Sequence, residues 1–393
     1  MAKPSHKISS ELMKKILSVI VVVVVTLTQT AQITAFAQET DKPVVNAQAC
    51  VLYCVDDGKV YFSVNENKKM KPASTTKLMT SLITLEYADS ADKVVAFTKD
   101  MTAEGSSMYL KVGEKVKLSD LAAGMMMASG NDAANAAAIS IAGSAEKFSE
   151  LMNNRAAVIG MKNTHFVTPS GLDDENHYST AYDMALLMSY ALENESFAKL
   201  TSQKSVTVEF SEPQSKRTTY TNHNRLLSMY EYCTGGKTGY TMAAGRCLVS
   251  SAKKDGLTFV CVTLNDRNDW NDHIALYNYG FSKLACVECD DSDYYLEIPC
   301  AGGDDESIGV TGTKGKNVVV PLDKKSNVVR TAYADNFLYA PVKDGDIVGR
   351  IEYTLDGKTL ASTNLTAVEY SNTQNKNKSI WTKIKDFFTY GKE

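Results

Sequence analysis

The sequence predicts a mixed α/β protein in which an antiparallel sheet is flanked by helices and followed by a small all-β domain. Two regions with apolar runs on either side of turn residues, 49–64 and 246–264, predict β-hairpins. Between them apolar residues recur at helical spacing, and after residue 285 short β-prone runs alternate with Gly, Asp and Lys turns. Strands that bracket a helical region favour a sheet with packed helices and a helical insert.

The first domain is predicted at 45–285. Residues typical of β-turns and of helix N-termini indicate where its first hairpin and first helix lie. Asp56-Asp57-Gly58 marks the turn of the first hairpin. A helix is expected from Ser74 to Tyr87, because leucine and methionine recur at helical spacing there and Pro72 stands just before it.

The middle of this domain is rich in alanine and methionine. Helical structure is predicted over 119–143, with Ser119 as its N-cap. The pattern is interrupted at Ser129-Gly130-Asn131 and then resumes through the alanines. Asp255-Gly256 marks the turn of the late hairpin.

Three segments follow the first domain. A β-rich domain is predicted at 286–370, and an Asn- and Lys-rich flexible linker at 371–378. The end, 379–393, predicts an amphipathic helix that suits a membrane surface, with docking on the β-rich domain as the alternative. Its apolar face consists of Ile380, Trp381, Ile384, Phe387 and Phe388.

The N-terminal segment predicts export from the cytoplasm. A lysine-rich start precedes an apolar run from Ile16 to Leu27 and an A-x-A site at Ala35-Phe36-Ala37. This layout is typical of a signal peptide at 1–37, because the apolar run is too short to span a bilayer. An uncleaved N-terminal anchor is the alternative.

Composition narrows the class of function. With 42 basic and 46 acidic residues, the chain has no electrostatic footprint for nucleic acid. Removing the signal peptide leaves about 356 residues, which suits two domains. Eight cysteines permit 105 disulfide pairings, but apolar flanks favour buried free thiols. Cys286-x-x-Cys289 has no partner at ligand spacing, so no metal site is expected.

Ser74 begins an S-x-x-K pair with Lys77 that can carry nucleophilic catalysis. On a helix the two side chains share a face, and a lysine kept neutral by burial or nearby positive charge can take the serine proton. The pattern alone is weak because it occurs six times. Ser74 differs because it opens a helix, whose backbone N–H can stabilise an oxyanion. The pattern stands at Ser74, Ser90, Ser144, Ser196, Ser250 and Ser251.

Two further motifs follow in order and strengthen the assignment of Ser74. Ser129-x-Asn131 comes about 55 residues later, and Lys237-Thr238-Gly239 about 108 residues after that. Ser129 can relay a proton to a leaving amine. Asn131 can hold a substrate amide oxygen and the amine of Lys77.

The K-T-G segment, which occurs once, suits recognition of a substrate carboxylate. Lys237 supplies positive charge and helps to keep Lys77 neutral, and Thr238 can hydrogen-bond the same carboxylate. Gly239 lets the strand approach the substrate closely. The backbone N–H of Tyr240 is a candidate second oxyanion donor beside that of the serine.

The chain resembles low-molecular-mass penicillin-binding proteins, the serine D-alanyl-D-alanine carboxypeptidase family. The resemblance is close over about 45–285 and looser over 286–370, which is similar to the family's β-rich C-terminal domain. Gly130 departs from the pattern, because relatives often carry Ala there. The segments that carry the resemblance are 71–80, 128–133, 160–166, 177–184 and 236–241.

This resemblance implies a β-lactamase/transpeptidase-like fold, with a helical subdomain carrying Ser129 and Asn131. It implies peptidoglycan stem pentapeptides as substrate, loss of the terminal D-Ala through a Ser74 acyl-enzyme, covalent inhibition by β-lactams, and no metal or organic cofactor. The end of the chain is similar to the family's amphipathic anchor, and together with the predicted export signal it leads us to expect a location on the outer, wall-facing side of the cytoplasmic membrane. Arg267 is expected to lie near the substrate carboxylate or to be an ordinary surface arginine.

Other interpretations share part of this pattern. A class A-type β-lactamase is disfavoured because Gly130 replaces its usual Asp and the chain has a second domain. A non-catalytic wall-binding protein is disfavoured because all three motifs are intact. Endopeptidase or transpeptidase preference stays open. Three histidines and one aspartate are expected to be structural, with the aspartate capping a helix or hydrogen-bonding within its own segment: His165, His177, His223 and Asp183.

Overall fold

The structure, a computed structural model, describes residues 42–302 and 305–368. The predicted signal peptide, linker and C-terminal helix therefore lie outside the described residues. Within the described part, no helix is long and apolar enough to cross a membrane.

The chain divides into two compact units. Of the described residues, the first unit holds 42–253 and 258–282, and the second holds 254–257 and 283–368. The second unit thus begins close to the predicted boundary at residue 286, but it also includes the tip of the late hairpin.

The first unit alternates strands and helices, and a short 3-10 helix, Ala73–Thr76, precedes its first α-helix. Its elements are β1 (Ala49–Cys54), β2 (Lys59–Val64), α1 (Lys77–Ser90), β3 (Val94–Ala96), β4 (Lys115–Lys117), α2 (Leu118–Met127), α3 (Asn131–Ala142), α4 (Ala145–Ile159), α5 (Ala181–Ala191), α6 (Glu195–Thr201), β5 (Ser205–Glu209), β6 (Arg217–Thr221), α7 (Leu226–Met229), β7 (Cys233–Thr241), β8 (Gly245–Lys254), β9 (Leu257–Leu264) and α8 (Asp269–Lys283).

A five-stranded sheet with the order β2-β1-β9-β8-β7 forms the centre of this unit. The β1–β2, β1–β9 and β7–β8 pairs are antiparallel. All six residues of β1 are buried, as expected for a strand paired on both sides. The predicted antiparallel sheet and both hairpins are confirmed. Because β7 is an edge strand, its outer side is available to line a cleft.

Helices cover both faces of the sheet. On one face, Val51 of β1 shares a core with Leu78 and Leu82 of α1. On the other face, Ser250 of β8 lies 2.7 Å from the hydroxyl of Tyr277 in α8. Successive side chains of a strand point to opposite faces of the sheet, and helices cover both faces here. Both sets of side chains in β1 are therefore buried, which explains why this strand is apolar throughout.

The predicted N-cap at Ser119 is wrong. Helix α2 begins at Leu118, so Ser119 lies inside its first turn. The N–H and hydroxyl of Ser119 instead donate to the carboxylate of Asp92, at 2.9 and 2.8 Å. The group that caps this helix comes from 27 residues earlier, where no local pattern points to it.

The second unit is all β, as predicted. Its strands are β10 (Leu284–Val287), β11 (Tyr295–Ala301), β12 (Ser307–Gly312), β13 (Val318–Pro321), β14 (Val329–Ala334), β15 (Leu338–Tyr339), β16 (Ile347–Leu355) and β17 (Lys358–Val368). Six of them form a sheet with the order β14-β16-β17-β12-β11-β15, and β10 and β13 form a separate pair. Ile298, Val310, Ile351 and Leu365 are among the core residues of this unit.

The eight cysteines are free thiols in the structure, and six of them are buried. Burial raises the pKa of Cys50, Cys54 and Cys247 to about 12, so these thiols are unreactive at neutral pH. Within the described residues, no group of three or more His, Cys, Asp or Glu side chains is placed to hold a metal ion.

Candidate active site

Ser74 and Lys77 meet at the start of α1. Ser74 lies in the 3-10 helix after Pro72, and Lys77 begins the α-helix one turn later. The amine Nζ of Lys77 lies 3.0 Å from Ser74 Oγ. Ala73, directly before the serine, has a φ of 49°, in the left-handed region that non-glycine residues rarely adopt. This strained backbone presents the serine hydroxyl to the cleft.

The amine of Lys77 has two further partners. It donates to Asn131 Oδ1 at 2.6 Å and to the backbone carbonyl of Ser170 at 2.7 Å. The amide of Asn131 is oriented by a bond from its Nδ2 to the carbonyl of Glu104 at 2.6 Å, which directs its oxygen at the lysine. A neutral amine has two N–H groups and one lone pair. The two carbonyl oxygens use the N–H groups, which leaves the lone pair for the Ser74 hydroxyl.

The electrostatic surroundings of Lys77 favour this neutral form. Its side chain is fully buried, and burial holds its pKa well below the usual value for lysine. The nearby charge of Lys237 lowers that pKa further, while Asp132 opposes the shift. The predicted contribution of Lys237 to keeping Lys77 neutral therefore agrees in direction with the structure.

Ser129 lies in the break between α2 and α3, with a φ of 57°. Its Oγ accepts a hydrogen bond from Lys237 Nζ at 3.0 Å. At Gly130, an added Cβ would lie 2.9 Å from Asp132 Oδ1 and 3.0 Å from the Met108 backbone nitrogen. The glycine that departs from the family pattern thus occupies a crowded position.

Asp132 braces the loop opposite the nucleophile. Its carboxylate accepts hydrogen bonds from the backbone N–H groups of Met108 and Leu110 and from the hydroxyl of Ser107. It is 3 % exposed. Three donors on one buried carboxylate fix the loop near Ser106, which lines the cleft.

The K-T-G segment lies on the edge strand β7, beside the serine. Lys237 is 1 % exposed, and burial lowers its pKa from 10.5 to about 7. A Cβ at Gly239 would lie 3.0 Å from Pro72 O and from the Ser74 backbone nitrogen. Only glycine allows this approach without displacing the nucleophile's backbone. Tyr240 follows, with its side chain exposed at the rim.

A cleft of about 400 Å³ opens over these groups. Five of the predicted site residues line it: Ser74, Ser129, Thr238, Gly239 and Tyr240. Lys77, Asn131 and Lys237 are buried beneath the lining and reach it through their hydrogen bonds. Seven lining residues were not predicted, because they belong to no motif: Ser106, His223, Arg225, Arg246, Cys247, Asp269 and Trp270.

The remaining candidates lie in supporting positions. His177 is buried and bonds to Thr76 Oγ1 at 2.9 Å, and burial lowers its pKa to about 4. The carboxylate of Asp183 accepts from the Asn163 backbone N–H and from Thr164 Oγ1, about 20 residues earlier. Within its own segment the backbone N–H of Asp183 donates to Thr180 Oγ1 at 3.0 Å, so the prediction holds for the backbone and not for the carboxylate.

Arg267 lies in a different cavity from the serine. Its neighbours there are Asn46, Gln48, Asn265 and Asn268. The arginines that do line the cleft are Arg225 and Arg246.

Comparison with known proteins matches both units. A family described as D-alanyl-D-alanine carboxypeptidase matches residues 36–268, and one described as penicillin-binding protein 5, C-terminal domain, matches 290–370. D-alanyl-D-alanine carboxypeptidase DacF of Bacillus subtilis is 32 % identical over 372 residues, covering 91 % of this chain and 94 % of that one. DacC of Escherichia coli is 34 % identical over 362 residues, covering 86 % and 87 %.

Solved structures give the same result. Penicillin-binding protein 5 of Haemophilus influenzae superposes with a TM-score of 0.64 at 29 % identity, covering 84 % of this chain and 98 % of that one. Penicillin-binding protein 6B of Escherichia coli has a TM-score of 0.62 at 27 % identity, covering 82 % and 96 %. A Streptomyces DD-transpeptidase mutant has a TM-score of 0.59 at 28 % identity, covering 61 % and 99 %. The predicted fold class is confirmed.

Proposed function

Since the chain belongs to the D-alanyl-D-alanine carboxypeptidase family, a group of serine peptidases, we propose that Ser74 is its nucleophile and Lys77 the base that activates it. The chain is a serine D-alanyl-D-alanine carboxypeptidase that acts on peptidoglycan stem peptides. One observation carries the assignment of the two residues. The buried Nζ of Lys77 lies 2.6 and 2.7 Å from two carbonyl oxygens, of Asn131 and Ser170, and 3.0 Å from Ser74 Oγ. A neutral amine that donates to the two carbonyls has its lone pair left for the serine proton.

Acylation begins when Ser74 Oγ attacks the carbonyl of the D-Ala–D-Ala bond and its proton moves to Lys77. The backbone N–H groups of Ser74 and Tyr240 stabilise the oxyanion, since β7 and the 3-10 helix approach closely at Gly239. Ser129 Oγ then delivers a proton to the leaving amine and recovers one from the ammonium of Lys77, so the terminal D-Ala departs and Lys77 is neutral again. In deacylation Lys77 takes a proton from water, whose oxygen attacks the ester carbonyl, and returns that proton to Ser74 Oγ as the ester bond breaks and the acid is released.

Lys237 and Thr238 bind the terminal carboxylate of the substrate. The ammonium of Lys237 already donates to Ser129 Oγ at 3.0 Å, so carboxylate binding and the proton relay share one group. A bound carboxylate favours the charged form of Lys237, whose pKa in the free protein is about 7. Asn131 is placed to hold the substrate amide as well as Lys77.

β-Lactams inhibit by the same chemistry, because the serine opens the lactam and forms an ester. A β-lactamase would hydrolyse that ester rapidly. The family match at 290–370 to a penicillin-binding protein domain favours a long-lived adduct.

The test compares two serines that share the S-x-x-K pattern. Ser74→Ala should abolish both labelling by a fluorescent penicillin and release of D-Ala from a pentapeptide. Ser90→Ala, at an exposed helix end, should leave both at the wild-type level. Labelling that persists in Ser74→Ala would refute the assignment. A cross-linked peptide dimer assayed in parallel decides between carboxypeptidase and endopeptidase activity.

The location belongs to the same proposal. Residues 1–37 direct export, and 379–393 hold the enzyme at the outer, wall-facing surface of the cytoplasmic membrane, with Trp and Phe on one face and Lys on the others. Support comes from the sequence of these two segments. A chain ended after residue 370 should appear in the soluble fraction, and its retention on membranes would contradict the anchor.

A further inference from the structure

Arg246 occupies a place in the cleft that no catalytic motif assigns. It stands near the start of β8, directly opposite Tyr240 of β7. Residues opposite each other in an antiparallel pair point to the same face of the sheet. The side chain of Arg246 is 44 % exposed and lines the same cleft as Ser74.

The guanidinium of Arg246 is held in place before substrate arrives. Its Nε donates to Asp269 Oδ2 at 3.2 Å, and its Nη2 donates to both Asp269 oxygens at 2.8 Å. Asp269 is 3 % exposed, and the ring of Trp270 lies 5.6 Å from the guanidinium. These bonds use Nε and Nη2, so the N–H groups of Nη1 stay available for an anionic group.

The order of residues along β7 determines which way the bound peptide runs through the cleft. The terminal carboxylate belongs at Lys237 and Thr238. His223 also lines the cleft at this end, and its pKa is lowered by burial and then by the nearby charge of Lys237. The scissile carbonyl lies between the N–H groups of Ser74 and Tyr240. The acyl part of the peptide must therefore continue past Tyr240, towards the part of the cleft that Arg246 lines.

We propose that Arg246 is a specificity-determining residue that binds a carboxylate on the third residue of the stem peptide, directly before the D-Ala–D-Ala pair. An extended peptide advances about 3.3 Å per residue. The side chain of the third residue, one position before the scissile D-Ala–D-Ala pair, therefore lies within reach of Arg246, which stands beside Tyr240. The inference rests on the proposed function, because it takes its direction from Ser74 and Lys237. It adds the chemical class of the preferred substrate.

The test uses two synthetic pentapeptides that differ only in the side chain of the third residue. One carries a free carboxylate and the other the corresponding primary amide. The wild-type enzyme should prefer the carboxylate about 10- to 100-fold in kcat/KM, as expected for a hydrogen bond between charged groups. Arg246→Gln should reduce that preference to within about threefold, and Arg246→Lys should retain part of it. The acylation rate with a penicillin that has a neutral side chain should not change.

Two controls keep the outcomes separate. Arg217→Gln changes an exposed arginine on β6 and should keep the full preference. Titration with labelled penicillin counts folded active sites, so a variant that folds poorly is corrected for its active fraction.

Equal losses on both peptides and on penicillin would overturn the inference, because Arg246 would then bind the terminal carboxylate. A wild-type enzyme that does not discriminate would overturn it as well. If Ser74→Ala still releases D-Ala, the proposed function itself fails.

Discussion

Replacing Lys237 by methionine is expected to stabilise the fold and to abolish activity. Burial depresses the pKa of Lys237 from 10.5 to about 7. At 1.36 kcal/mol for each pKa unit, keeping this ammonium buried at low pH costs about 5 kcal/mol. Methionine removes this cost, but it leaves Ser129 Oγ and the Thr238 carbonyl without their donor. Each lost bond costs about 1–2 kcal/mol, so the expected net gain is about 1–3 kcal/mol.

The lowered pKa of Lys237 also determines how the free energy of unfolding changes with pH. The pKa of Lys237 is lower in the folded state than in the unfolded chain, so the unfolded chain binds more protons between about pH 7 and 10.5. The free energy of unfolding therefore rises with pH across this window in the wild-type protein. The methionine variant should lack the part of this rise that Lys237 contributes and keep the part that comes from Lys77, whose pKa is also lowered.

Urea unfolding followed by circular dichroism from pH 6 to 10 measures both effects, and penicillin acylation measures the activity. Lys68→Met, at an exposed position, is the matched control and should change neither stability nor its pH dependence. If the Lys237→Met variant is less stable than the wild type at pH 7, or keeps the wild-type rise, the reasoning about buried charge is refuted.

Three further predictions concern the same site. Gly239→Ala places a Cβ 3.0 Å from Pro72 O and the Ser74 backbone nitrogen, so stopped-flow acylation should slow about 10- to 100-fold; an unchanged rate would contradict the packing. Lys77→Arg introduces a group that does not deprotonate, and acylation should fall about 10²- to 10⁴-fold, whereas a near-normal rate would exclude Lys77 as base. His177 has a folded-state pKa of about 4, so this residue alone should contribute a loss of about 3 kcal/mol in the free energy of unfolding as pH falls from 6.5 to 4. His177→Gln should lose less over that range in urea unfolding, and equal losses would contradict the prediction.

Much of the fold was predictable because its signals are local. Turn residues such as Asp56-Asp57-Gly58 and Asp255-Gly256 define hairpins that the sheet contains. The catalytic groups were predictable for a different reason. Ser74, Ser129 and Lys237 are far apart in sequence but stand in three ordered motifs, and the fold brings them to one cleft.

The contacts that could not be predicted from the sequence are made by groups that belong to no sequence motif. The carbonyl of Ser170 that orders the Lys77 amine is a backbone atom, which any residue provides. Asp92 caps α2 from 27 residues away, and Asp132 braces a loop more than 20 residues earlier. Arg246 reaches the cleft because of the β7–β8 register, which depends on strand pairing and not on a motif.

The protonation state of Lys77 in the resting enzyme tests the central claim most directly. Lysine labelled with ¹³C at Cε reports it by NMR, and the spectrum of Lys77→Arg assigns the resonance. A neutral amine at pH 7.5 is predicted, because burial and Lys237 both lower the pKa of Lys77. An ammonium resonance that persists to pH 9 would contradict the assignment of Lys77 as the base that activates Ser74.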